Sequence, residues 1–366
     1  MAFRMGFHCS GAYGEFDTRL AMGPFWHGTS WPRIAFRQKA LSRLVLLAPV
    51  LLTGNAAASA LTAGPGQEYP NPSAAAQAAR DGDTVRIEAG TYYDCAVWSQ
   101  NHLTITGAGP ETVITDTTCL GKALFVVTGN DVTIRDLTLA RARVPDLNGA
   151  GIRMEGQGLT LERLRFVNDE AGLLAASTSV GAIRISDCVF EAGGRGGERP
   201  TFAVSVSAVS LLRIEHSTFN GVKGGQIKTA ADRTELVGNQ IGSGTGAAPA
   251  VAIMATGGGL IIEDNVLSIG PNAPRSATAV LAMGRGPLTL RRDRMENGTG
   301  QRLALLFNWT GTNAQVEGDQ VGQGDRVLSR SGLWRHRASR VYHRTKDTLR
   351  HVVSLMIRGL RALVGR

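Results

Sequence analysis

The sequence is short of aromatic residues, at 6%, and of cysteine, with four in 366 residues. It has no CxxC pair and no Cys/His spacing of the kind that holds zinc, so a zinc module is excluded. It has no long hydrophobic run either. The apolar stretch Leu44 to Leu52 is interrupted by Pro49 and falls short of the roughly 20 residues that span a bilayer. With 43% hydrophobic and 19% charged residues, the composition excludes a disordered chain. Glycine is plentiful instead: 46 residues, about one in eight, against a usual ~7%. It lacks the strict three-residue period of collagen. A chain rich in turn residues and poor in helix formers points to many short strands.

The formal charge of +9 is unevenly placed. Residues 1–43 carry six Lys/Arg against two acids, and residues 333–366 carry nine against one, which leaves −3 for residues 44–332. The basic balance therefore belongs to the two ends. A nucleic-acid-binding face is not expected on the body. At the front, Arg37, Lys39 and Arg43 precede the apolar run, and Ala58-Ser59-Ala60 follows as a small-residue cleavage pattern. Residues 1–60 read as a presequence cut after Ala60, with Met22 as an alternative start, and the mature protein is expected to be periplasmic or secreted. In an oxidising compartment Cys95 and Cys119 are the plausible disulfide pair, whereas Cys188 falls on an inward position and is expected buried and inert.

Residues 61–330 repeat. An apolar-x-apolar pair, then a polar pair, then a further residue, x and an apolar residue, recurs in sequence. Three copies are Val132-Thr-Ile134-Arg-Asp-Leu137-Thr-Leu139, Leu159-Thr-Leu161-Glu-Arg-Leu164-Arg-Phe166 and Leu260-Ile-Ile262-Glu-Asp-Asn265-Val-Leu267. The anchors are residues 105, 134, 161, 185, 214, 236, 262, 290 and 316, about 26 residues apart on average. Alternation at period two marks strands, and the spacing is too short for propeller blades of about 40 residues. A coil of short parallel strands is the physical solution, each hydrogen-bonded to its counterparts in the coils above and below. The position three beyond the anchor runs Leu137, Leu164, Cys188, Ser217, Asn239, Asn265, Asp293, Asp319, which suits a sharp corner with stacked amides. A second strand precedes each anchor strand. Asn71-Pro72-Ser73 before an Ala-rich run reads as a capped helix closing the first coil.

This pattern, with the first-coil run Asp81-Gly82-Asp83-Thr84-Val85-Arg86-Ile87, resembles the right-handed parallel β-helix proteins of the pectate-lyase-like superfamily. The runs Arg143 to Arg153 and Gly224 to Ala231 look like a bacterial subgroup of β-helix repeat proteins with no assigned activity. The resemblance implies a single-stranded right-handed parallel β-helix with a short N-terminal capping helix and a C-terminal amphipathic helix. For function it implies binding of an acidic polysaccharide or cell-surface glycan, with a polysaccharide-lyase-like activity or a non-catalytic interaction role as the two alternatives. In lyases of this build a Lys base works with an Arg about a coil later. Lys228 is the candidate base, yet the matching strand, Val251 to Thr256, holds no Arg.

The remaining candidates come from coil stacking, which sets equivalent positions about 4.8 Å apart. Arg184 over Arg213 makes a cationic pair suited to a uronate chain, and Arg153 is a further candidate for substrate binding. Asp187 and His216, one coil apart, are candidates for a base with its orienting partner. A surface charge ladder that merely keeps the solenoid soluble accounts for the same residues. Asp169-Glu170 is a weak Ca²⁺ candidate, and no other cofactor or metal is expected. In the tail, residues 331–366, the residues Leu349, Val352, Val353, Met356, Leu360, Leu363 and Val364 share one helical face, with Arg350, Arg358 and Arg361 largely off it. Over residues 341–366 this reads either as a membrane-surface segment or as a lid on the last coil. The protein is expected to be a monomer.

Overall fold

The computed structural model describes residues 58–176, 178, 180–194, 200–242 and 251–330. The presequence before Ala58, the alternative start at Met22 and the tail after Arg330 lie outside them. Among the described residues, thirty strands of three to five residues form three parallel sheets. The chain visits the sheets in turn, so neighbouring strands in a sheet come from successive coils. The first sheet has eleven strands, from Ala60–Ala63 to Ala314–Glu317, and contains every anchor strand. The second has nine, from Gly90–Tyr92 to Arg294–Asn297. The third has ten, from Ala96–Trp98 to Arg326–Arg330, and supplies the strand before each anchor.

The anchors stack in register: Ile105 beside Ile134, Ile134 beside Leu161, then Ile185, Ile214, Leu236, Ile262 and Leu290. All of these are essentially inaccessible to solvent. The eight-residue repeat unit is not one strand, as its alternation suggested. It breaks into a first-sheet and a second-sheet strand around a left-handed residue two beyond the anchor: Asp136, Arg163, Asp187, His216, Gly238, Asp264, Arg292 and Gly318, with φ of 49–73°. The left-handed backbone costs a non-glycine residue about 1–2 kcal/mol and suits short polar side chains that bond locally. The corner therefore sits one residue earlier than the run of small and polar residues implied. Those residues instead point inward.

They form a ladder. The Ser217 amide donates to Asn239 Oδ1 at 2.9 Å, Asn239 to Asn265 Oδ1 at 2.9 Å, Asn265 to Asp293 Oδ1 at 2.9 Å and Asp293 to Asp319 Oδ1 at 2.8 Å. The Nδ2 groups of Asn239 and Asn265 donate to the same oxygens and to the carbonyls of Ile214 and Leu236. Each buried amide is thereby satisfied, which matters because an orphaned one costs about 1–3 kcal/mol. Beside the ladder, Phe166, Phe190 and Phe219 stack nearly parallel with centroids 4.6 and 4.5 Å apart. Gly172 is required there: a Cβ on it would lie 2.7 Å from the Phe190 ring.

The helix Pro72–Ala78 closes the N-terminal end, as expected. Asn71 Oδ1 accepts from the Ala74 amide at 3.0 Å, and Ala75, Ala76 and Ala79 enter the core. Cys95 and Cys119 are joined, with an S–S distance of 2.04 Å. Cys188 is buried, and burial pushes its thiol up to about 12, so it is inert. No helix of the described residues is long and apolar enough to cross a membrane.

Candidate functional site

The outer face of the first sheet is built by columns of side chains pointing away from the core. One column reads Thr84, Thr104, Thr133, Thr160, Arg184, Arg213, Glu235, Ile261, Thr289 and Gln315. Its C-terminal half opens into a groove of about 430 Å³. Arg213, Arg233, Arg291, Glu235 and Glu263 line it, over a floor that includes Val237 and Ile261. Of the three arginines, sequence reasoning named only Arg213. Arg233 and Arg291 belong to the alternating surface charge of successive coils, and nothing in a single strand marks them as lining a groove.

Arg213 is clamped between two carboxylates, 2.7 Å from both Glu215 and Glu235. Hydrogen bonds to Glu235 and then Glu215 raise its guanidinium above the ordinary value. Glu235 also accepts from Arg233. Burial works to raise the Glu235 carboxyl, but the bonds from Arg233 and Arg213 outweigh it and leave it below the usual range. Arg184 lies directly beside Arg213 in register, as expected. It is exposed and, among the described residues, has no carboxylate against it. The cationic pair therefore exists as a stacked pair of side chains, but Arg213's charge is already neutralised.

The three acid–base candidates are not brought together. Asp187 and His216 are left-handed corner residues between the first and second sheets, with φ of 54° and 49°. Their amides donate to the Glu215 and Val237 carbonyls one coil on, and no hydrogen bond or ion pair joins the two side chains. The pairing read from their stacking is thus a stacking of corners. Lys228 is on the third sheet, in the strand Ile227–Thr229, across the coil from that corner. Its neighbours in the outward column are Ser205 and Met254, so no Arg stands beside it.

Arg153 shares Lys228's column, three coils away with Leu174 and Ser205 between, or about 14 Å at 4.8 Å per coil. Its Nε lies 3.5 Å from Glu155, which also takes Lys122 at 2.6 Å. The substrate-binding candidates thus divide between two faces: Arg184 and Arg213 on the first sheet, Arg153 on the third.

Asp169 and Glu170 are both buried and work as loop braces. Asp169 Oδ1 accepts from the Ala142 amide at 2.8 Å, and Glu170 Oε2 accepts from Gly149 and Val144 at 2.7 and 3.2 Å. Burial raises the Asp169 carboxyl well above its ordinary value. Two buried carboxyls committed to backbone amides make a poor Ca²⁺ pair. Among the described residues no group of three or more His, Cys, Asp or Glu side chains is placed to hold a metal.

Three parallel sheets, stacked anchors and a capped first coil decide the architecture. The chain is a parallel β-helix. No protein-family model matches the β-helix, and no curated protein does. Among solved structures it is similar to the pectin methylesterase of Aspergillus niger, at 13% identity, with 71% of this chain and 89% of that one covered and a TM-score of 0.48. It is also similar to the rice weevil pectin methyl esterase (16%, 68% and 84%, 0.41). The A-module of the Azotobacter vinelandii mannuronan C-5 epimerase AlgE4 is a third (16%, 70% and 90%, 0.35). Likeness at this level identifies no shared site.

Proposed function

We propose that this protein is an exported, non-catalytic β-helix that binds an acidic polysaccharide along the outer face of the first sheet. The observation that carries the reading is Arg184, an exposed guanidinium without a carboxylate partner among the described residues, stacked on Arg213. Beyond Arg213 lies the groove with its apolar floor at Val237 and Ile261. An extended sugar chain fits a flat parallel sheet: Arg184 takes a carboxylate, and the apolar floor takes the less polar face of a ring. The Cys95–Cys119 bond supports an oxidising compartment and hence export. The separation of Lys228 from Asp187 and His216 supports binding without catalysis, since a lyase needs its base, cation and proton donor around one sugar.

Affinity electrophoresis through gels containing alginate or polygalacturonate tests this, run beside an ultraviolet assay for unsaturated uronate. Retardation of the wild type is expected, with no absorbance change. Arg184→Glu should weaken binding by about tenfold, through loss of one charge-assisted contact and gain of repulsion. Release of unsaturated product by the wild type, abolished by Lys228→Ala, would establish the lyase alternative instead.

A further inference from the structure

Charge on the outer face of the first sheet cancels almost completely. The described strands of that sheet carry six arginines and five glutamates, and no lysine or aspartate. Every glutamate has a cation. Glu162 lies 3.5 Å from Arg163, Glu215 and Glu235 share Arg213 at 2.7 Å, Arg292 binds Glu263, and Glu317 lies 3.8 Å from Arg291. Of the other arginines, Arg86 and Arg135 lie 2.9 and 3.9 Å from Glu88 and Asp136, and Arg233 bonds to Glu235. Among the described residues, Arg184 alone of the six has no carboxylate, and it is exposed. The face therefore presents one uncompensated positive charge on a neutral background.

Uncharged groups flank that charge on both sides. Four threonines precede Arg184 in its column, Thr84, Thr104, Thr133 and Thr160, each partly exposed. Among the described residues no hydrogen bond occupies their hydroxyls. They cover three coil steps, about 14 Å at 4.8 Å per coil. On the other side, the groove sets three arginines against Glu235, Glu263 and Asp264, so its lining carries no net charge. Its remaining members are Val237, Ile261 and Thr289. A glycan along this column thus meets hydroxyl and methyl groups, then one free guanidinium, then a neutral groove. A second carboxylate one or two coils beyond Arg184 would find the cations there already taken by Glu215 and Glu235. It would also lie within the ~8 Å screening length of those two acids. Building on the glycan reading above, we infer that this face selects a sparsely charged glycan over a polymer with an acid on every ring. One carboxylate sits on Arg184, and uncharged sugars lie over the threonine column and the groove. Arg184 supplies the charge-assisted contact, and like-charge juxtaposition beyond it disfavours the denser polymer.

Isothermal titration calorimetry tests the inference, using alginate and polygalacturonate whose carboxylates have been converted stepwise to neutral amides. For the wild type, affinity is expected to rise by about fivefold as the first carboxylates are removed, and to fall again as the last are lost. Arg184→Gln should abolish that fall, binding the partly and the fully amidated polymer alike. Glu235→Gln, which loosens the hold on Arg213, should move the maximum toward the unmodified polymer. Circular dichroism checks that both variants keep the β-sheet spectrum, and the wild-type series stands without them. Wild-type affinity that declines steadily from the first amidation would overturn the inference and leave the glycan reading standing. A maximum unchanged in Arg184→Gln would overturn it as well. Absence of binding to every member of both series would remove the glycan reading and this inference together.

Discussion

Asp293 is a carboxyl set where the ladder calls for an amide, and its replacement by asparagine has a calculable effect. The side chain is fully inaccessible to solvent. Its Oδ1 accepts from both the amide and Nδ2 of Asn265, at 2.9 Å each, while its Oδ2 has no hydrogen-bond partner. The nearest like charge is Asp319 on the next coil, which adds to the effect of burial. The neighbouring Arg292 faces outward to Asp264 and Glu263. Burial, first of all, raises the Asp293 carboxyl to about 7 from an ordinary 3.8.

The folded state therefore holds a proton that the unfolded chain releases from pH ~4 upward. Stability is undiminished below that value and falls as pH rises toward 7, levelling off above it, by about 4 kcal/mol in all. Asp293→Asn keeps the acceptor for Asn265 and adds an Nδ2 donor toward Asp319 Oδ1, repeating what Asn265 does to Asp293. Urea unfolding followed by circular dichroism should find the variant more stable than wild type, with the advantage growing by about 3 kcal/mol between pH ~5 and ~8.5. A difference independent of pH over that range would refute the reasoning.

Phe190→Ala, which removes the middle ring of the aromatic stack, should cost about 3–5 kcal/mol in the same unfolding assay. Gly172→Ala should lose about 1–3 kcal/mol, because its Cβ would lie 2.7 Å from the Phe190 ring and 3.0 Å from the Ala203 carbonyl oxygen. Opening the Cys95–Cys119 link, which closes 24 residues, should cost about 3 kcal/mol, seen as a melting temperature lowered by reductant. Asp187→Gly should leave stability unchanged or slightly higher and glycan retardation unaltered, since glycine relieves the left-handed corner; loss of retardation would return Asp187 to the binding site.

The anchors were legible because one fully buried column must repeat in every coil, and Ile134, Leu161 and Ile185 do. The corner was less visible, although its signal is present. Inward residues run Val132, Ile134, then Leu137 and Leu139: the phase of the alternation slips by one at Asp136. That slip is what a left-handed residue between two strands produces, and it divides the first sheet from the second. Because it falls on polar residues such as Asp187 and His216, the pattern imitates a pair of functional side chains. The stacking of Arg184 on Arg213 followed from register alone. The capture of Arg213 by Glu215 and Glu235 depends on rotamers and on a strand 22 residues later, and no local pattern reports either. Lys228 looked catalytic by its surroundings in sequence, but which sheet a strand joins decides what it faces.

The left-handed corner and the coil-to-coil ladder together constrain how such a chain can change length. Every sheet hydrogen bond joins residues a coil apart, so the structure is indifferent to which coil is neighbour to which, provided the columns match. Removing the whole coil from Ala182 to Ser210 would bring Leu211–Glu215 beside Leu159–Glu162 and Phe219 onto Phe166, restoring the same contacts. Removing a single residue at Asp187 would instead put Cys188 out of phase and break the 3.1 Å bond from its amide to Ser217 Oγ. Insertions fall mainly in the connections between the second and third sheets, such as residues 141–149. The molecule can therefore shorten or lengthen in steps of one coil, and the outer face of its first sheet grows or shrinks with the number of coils.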